Sequence, residues 1–237
     1  MALSCGIVGL PNVGKSTLFN ALTRSAQALA ANYPFATIEP NVGEVAVPDE
    51  RLRVLGDMYR TQRIVPATMR FVDIAGLVRG ASTGQGLGNA FLGHIRETDA
   101  VAMVVRCFED SDVIHVEGAP DPLRDIEIVT IEMALADLET MRKRVPKLER
   151  EARADPKTAP ALQAAQHLVA ALEEGKPARI FPEDSPEGLV AADSFLISAK
   201  PVLYVANIDE AQIGAWGPLV ERLRQHAASE RAGVVVL

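Results

Sequence analysis

Residues Gly9-Leu-Pro-Asn-Val-Gly14-Lys15-Ser16 spell G-x-x-x-x-G-K-S. They lie between an apolar run over residues 3–8, read as a buried strand, and a helix-forming segment predicted over about 15–30. Few sequences constrain a fold more tightly. A strand must feed a glycine turn, and the turn must open straight into a helix. Backbone amides of such a turn, together with the helix N-terminus, form a nest for anions. In this pattern Asn12, Val13, Gly14, Lys15, Ser16 and Thr17 surround phosphate, the lysine faces the β- and γ-phosphates, and the serine ligates Mg²⁺.

The rest of the chain supplies the sheet this motif needs. Strands are expected over 42–47, 68–74, 100–106, 201–206 and 234–237, and helices over about 50–59, 89–98 and 216–230. Asp49 is placed to cap the helix that follows it. Alternating strands and helices specify an α/β fold with a mostly parallel sheet covered on both faces. Glycines at 76, 80, 84, 86 and 88 make the segment after the third strand a mobile loop by expectation.

Residues 107–201 are too long for a simple crossover, which needs only about a dozen residues. Within them Ile128, Ile131, Leu135, Leu138, Val145 and Leu148 recur at three- and four-residue steps, as do Leu162, Ala165, Leu168 and Leu172. Asp155-Pro-Lys-Thr-Ala-Pro160 separates the two sets. A coiled-coil-like helical hairpin is expected over 121–195, inserted into a nucleotide-binding domain formed by 1–120 and 196–237. The hairpin is either a buttress on the sheet or a protruding arm that touches a partner.

Two further motifs bear on nucleotide chemistry. Asp73-Ile-Ala-Gly76 closes the third strand. There the aspartate can hold Mg²⁺ through water and the Gly76 amide can meet a γ-phosphate. Thr37, in the loop after the first helix, is placed to complete the metal shell. Asn207-Ile-Asp-Glu210 ends the fifth strand, where guanine-specific proteins usually carry N-K-x-D. Ile208 replaces the lysine. Glu210 is one methylene longer than the aspartate that serves guanine, so the adenine ring is expected near Asn207 and Ile208. Ser198-Ala-Lys200 imitates another base-binding motif but precedes the fifth strand, and is read as a decoy.

The net charge of −7 argues against non-specific nucleic-acid binding over the whole surface. The only cysteines are Cys5 and Cys107, which excludes a disulfide framework or a four-cysteine zinc site. No apolar run approaches the roughly 18 residues that span a bilayer. No secretory signal precedes the first strand, so a soluble, cytoplasmic protein without membrane contact is expected.

The ordered set resembles the YchF/Obg-like ATPases, of the TRAFAC class of P-loop NTPases. The matching residues are Cys5 to Thr17, Asn32-Tyr-Pro-Phe35, Thr37-Ile-Glu-Pro40, Phe71-Val-Asp-Ile-Ala-Gly-Leu77, Gly86-Leu-Gly-Asn89, Arg106-Cys-Phe108 and Asn207-Ile-Asp-Glu210. The resemblance implies a Ras-like G domain with an inserted coiled coil, ATP hydrolysis favoured over GTP, Mg²⁺ as cofactor with K⁺ as a further candidate, and association with the ribosome but not with specific DNA sequences. It also implies a C-terminal TGS module after residue 237. A GTPase, or a nucleotide-gated binding module with negligible turnover, remains the alternative.

At Leu77 the chain lacks the water-orienting glutamine that follows D-x-x-G in Ras. Leucine offers neither donor nor acceptor. Of the four histidines, His94, His167 and His226 lie on predicted helices and read as packing or solvated. His115 reads from spacing as an ordinary loop histidine. The resemblance places a functionally implicated histidine at this point, so the catalytic set expected is Lys15, Gly76 and His115.

Overall fold

The computed structural model describes residues 2–23, 41–74, 87–110, 113 and 115–237, with the backbone alone for 87–91. Six strands form one sheet: β1 (Leu3–Val8), β2 (Asn41–Ala46), β3 (Thr68–Asp73), β4 (Ala100–Arg106), β5 (Val202–Asn207) and β6 (Gly233–Val236), in the order β2-β3-β1-β4-β5-β6. All neighbours run parallel except β2, which lies antiparallel on β3 with Asn41 opposite Asp73. The apolar strands β1 and β4 sit at the centre because both of their faces are buried. β6 is an edge strand, half exposed along its length.

The strand order reverses between β1 and β4, and in open α/β sheets ligands bind in the crevice outside the carboxyl ends of strands at such a switch point. Here β1 runs into the glycine turn and on into α1 (Lys15–Thr23). Gly9 has φ +148°, and a Cβ on it would lie 2.4 Å from the Val104 carbonyl oxygen. Only glycine lets the turn press so closely on β4. Leu10 and Val13 are buried and anchor the turn from below.

α2 (Glu50–Tyr59) is capped by Asp49, whose side chain accepts from the Arg51 amide. α3 (Leu87–Arg96) precedes β4, and α7 (Pro218–Ser229) joins β5 to β6. Between β4 and β5 come α4 (Pro122–Ala154), α5 (Ala159–Glu173) and α6 (Pro186–Asp193). The expected pair of helices is present as α4 and α5, and α6 is a third helix that the hairpin reading did not include.

α4 takes part in two cores. Ile126, Ile128, Val129 and Met133 pack with the sheet residues Ile7, Met103 and Tyr204. Ala134, Leu138, Met141 and Leu148 pack instead with Leu168 and Leu172 of α5, Val190 of α6 and Leu196. α4 therefore changes partners along its length, with Met133 and Ala136 against the sheet's core and Ala134 and Leu138 in the second one. Ile131 and Leu135, expected on the buried stripe, are each 37% exposed. The inner face over that stretch carries buried Thr130, Glu132 and Asp137 instead. No helix among the described residues is long and apolar enough to cross a membrane.

Candidate nucleotide site

The phosphate loop owes its shape to two left-handed residues, Asn12 at φ +62° and Gly14 at φ +97°. Gly14 is also pressed from outside: a Cβ there would lie 2.5 Å from Asn207 Nδ2. Asn207 Nδ2 donates to the Val13 carbonyl at 3.0 Å. The end of β5 is thereby bonded to the loop that follows β1, across the intervening β4. Lys15 opens α1 and is buried, its Nζ donating to the Leu10 carbonyl at 2.7 Å. Burial pulls the ammonium down to about 8, with the Asp73 charge pulling the other way.

Ser16 Oγ donates to Asp73 Oδ2 at 2.9 Å. Burial raises the Asp73 carboxyl, while Ser16, Lys15 and Asn41 act against that rise. Among the described residues, Asp73 Oδ1 is buried without a hydrogen-bond partner. A carboxylate with one oxygen unspent beside a serine hydroxyl is a set of hard oxygen donors, and it fits Mg²⁺. Thr17 and Asn12 are exposed at the same rim. Thr37, Gly76 and Leu77 lie outside the described residues.

The tetrad after β5 is divided in its uses. Asn207 serves the phosphate loop, and the Ile208 amide donates to the Leu237 carbonyl at 2.9 Å. Asp209 caps the 3-10 turn Glu210–Gln212: its side chain accepts from the Gln212 amide, and its own amide donates to Gln212 Oε1. Ile208 is half-buried and Glu210 exposed. Ser198 and Lys200 are far from such a role. Ser198 Oγ accepts from the Ala178 amide at 3.0 Å. Lys200 Nζ donates to the carbonyls of Arg96 and Thr98, closing the C-terminal end of α3.

His115 is buried. Its Nε2 lies 2.8 Å from Asp125 Oδ2, and its Nδ1 accepts from the Glu117 amide at 3.2 Å. Both ring nitrogens are engaged, so as held here the imidazole offers no free site to a water. His167 pairs with Glu187 at 2.7 Å, and His226 stacks edge-on to Tyr204, in keeping with structural roles.

Three buried charged residues had no assigned role in the sequence reading. Arg106 is 1% exposed. Its guanidinium donates to the carbonyls of Phe108, Val113 and Asp110 and packs over the Phe108 ring, so it ties down the chain after β4. Asp125 stands on the first turn of α4, and Asp137 accepts from the amides of Ile197 and Ser198 at 2.9 and 2.7 Å. No spacing rule marks such residues, because their partners are backbone atoms or lie far along the chain. Cys5 and Cys107 are buried, their thiols raised to about 11 and about 12 by burial, the latter also by the Asp125 charge. Thiols so raised are poor nucleophiles.

A family model described as "50S ribosome-binding GTPase" matches residues 4–142. The Bacillus subtilis protein named ribosome-binding ATPase YchF is 46% identical over 240 residues, covering 100% of this chain and 65% of that protein. The Haemophilus influenzae protein of the same name is 49% identical over 237 residues, covering 99% of this chain and 64% of its own length. A solved structure of the Schizosaccharomyces pombe YchF GTPase superposes with a TM-score of 0.77 at 38% identity, covering 99% of this chain and 65% of that one. The chain thus spans about 65% of the length of these relatives. By the matched model and the phosphate loop it contains, the chain belongs to the 50S ribosome-binding GTPase family, and within that family it is similar to the YchF proteins.

Proposed function

We propose that this chain is the nucleotide-hydrolysing part of a slow, Mg²⁺-dependent ATPase switch that associates with the ribosome. The observation that carries the reading is the coupling of Lys15, Ser16 and Asp73 at one point of the sheet edge. A phosphate-facing ammonium, a metal-facing hydroxyl and a carboxylate with a spare oxygen are the parts that phosphoryl transfer requires. Bound at Ser16 and Asp73, with Thr37 as the third proposed ligand, Mg²⁺ would neutralise charge on the β- and γ-phosphate oxygens. The names of the bacterial relatives support ATP and the ribosome as substrate and partner.

The base reading rests on the tetrad after β5. Asp209 is committed to its turn, and Glu210 is exposed with a carboxylate one methylene further out than guanine recognition uses. Ile208 supplies an apolar cover. A GTPase is the second reading, favoured by the description of the fission-yeast relative. Calorimetric titration of ATP and GTP under the same Mg²⁺ conditions tests the choice. ATP is expected to bind at least as tightly. GTP binding more than about tenfold tighter, a difference of about 1.4 kcal/mol, overturns it.

With leucine at position 77, His115 is proposed to orient the attacking water, and Gly76 to donate its amide to the γ-phosphate. His115→Ala should then lower the single-turnover rate while nucleotide affinity changes little. Turnover in K⁺ compared with Na⁺, and with and without ribosomes, tests the accessory ion and the partner. Tight nucleotide-dependent ribosome binding without any stimulated turnover would instead mark a nucleotide-gated binding module.

A further inference from the structure

The pair formed by His115 and Asp125 joins the chain after β4 to the root of α4, and each side chain is only 2% exposed. Because Nδ1 accepts the Glu117 amide, the neutral ring carries its proton on Nε2 and donates it to Asp125. A carboxylate that orients a histidine for catalysis binds one ring nitrogen and leaves the other for the reactant. Here the other nitrogen is spent on a backbone amide and the ring is shut away from water. The arrangement stores the imidazole and does not present it.

Asp125 is itself held from several sides. Arg124 lies 3.4 Å from its second oxygen and also donates to the Ala119 carbonyl. Four residues before it, Asp121 caps α4 and pairs with Arg222 of α7 at 3.3 Å. From this root α4 runs 33 residues, out of the sheet's core and into the second core with α5. A force on the outer part of the arm acts on the same helix whose first turn grips the histidine.

We propose that Asp125 is a positioning residue that latches His115 in a water-free position, and that displacement of the root of α4 releases the imidazole to serve hydrolysis. The inference rests on the reading of His115 as the water-orienting group. In the step it serves, the water oxygen bonds to the γ-phosphorus as the bond to the bridging oxygen breaks. The electron pair leaves on ADP, and the water proton passes to the released imidazole and then to the departing phosphate.

The test uses the whole chain with Mg²⁺ and ATP. Single-turnover hydrolysis is measured for the parent, D125A, H115A and D125A/H115A, with ATP affinity measured separately. D125A is expected to hydrolyse about threefold faster or more at unchanged affinity, and the double variant to lose that gain. Nitrogen-15 spectra should show the Nε2-protonated tautomer of His115 in the parent and a mixture of tautomers in D125A, a change that a merely packing role would not produce. If H115A is slowed while D125A is not accelerated, Asp125 orients or packs and the latch is overturned on its own. If H115A keeps the parent rate in both backgrounds, the reading of His115 fails and takes the latch with it. Should D125A not fold, D125N decides in the same way. It keeps one acceptor without the charge, so a smaller acceleration supports the latch and no acceleration overturns it.

Discussion

Lys15 Nζ donates to the carbonyl of Leu10, five residues back in the same loop, at 2.7 Å. The loop backbone thus holds the ammonium against itself. Burial brings this group down to about 8 from 10.5. A triphosphate arriving there adds negative charge and pulls the value back up, so binding takes up a proton near and above pH 8. ATP affinity should therefore fall as pH rises through about 8, toward tenfold per pH unit, and calorimetry in buffers of different ionisation enthalpy should show the uptake. A flat affinity between pH 7 and 9.5 would refute it. For the protein alone the sign is opposite. The unfolded chain holds this proton up to about 10.5, so the Lys15 contribution to stability rises with pH between about 8 and 10.5.

Gly14 and Asn207 form a second coupled pair. Gly14→Ala combines a left-handed backbone with a Cβ 2.5 Å from the Asn207 amide nitrogen. It should weaken ATP binding more than Asn207→Ala does. The latter removes one hydrogen bond to Val13, worth about 0.5–1.5 kcal/mol. Combining the two should relieve the clash but not the backbone strain, so the double variant should stay weaker than Asn207→Ala alone. Binding isotherms of the three variants check the order.

Asp73→Asn should act on the metal-dependent part of binding. It keeps a partner for Ser16 but loses the charge that would face Mg²⁺ in the proposed site. ATP affinity with Mg²⁺ should fall about 10–100-fold, the range seen when carboxylates around a metal are removed. Affinity measured in chelator should change far less. Equal losses in both conditions would show that Asp73 acts only through the fold.

Asp137→Ala should be among the most destabilising substitutions of α4. It leaves the Ile197 and Ser198 amides buried without their acceptor, at about 1–3 kcal/mol each. Asp137→Asn retains one acceptor oxygen and should fall between. Urea unfolding with an unchanged m-value reads the difference. A variant as stable as the parent would mean that water replaces the carboxylate.

Much of this architecture was legible in the chain because its signals are local. G-x-x-x-x-G-K-S between an apolar run and a helix is a short-range instruction, and strand β1, the turn and α1 follow it. Asp49 capping α2 and Asp73 as the last residue of β3 are of the same kind. The three- and four-residue steps of Leu138, Leu148, Leu168 and Leu172 announced two helices that share a core. Periodicity reports that a face is buried, not what buries it. It therefore could not show that Met133 belongs to the sheet and Ala134 to the arm, nor that Ile131 and Leu135 lie partly open while Asp137 lies inside.

The order of strands, the antiparallel turn of β2, and the placement of Asn207 against Val13 across β4 are decisions of the tertiary structure. So is the pairing of His115 with Asp125. Local sequence determines which segments become strands and helices, since propensity, capping and turn chemistry act within a few residues. Which charged groups are buried against which others is settled only when distant elements meet, because a carboxylate such as Asp137 or Asp125 is tolerated inside only where another part of the chain satisfies it.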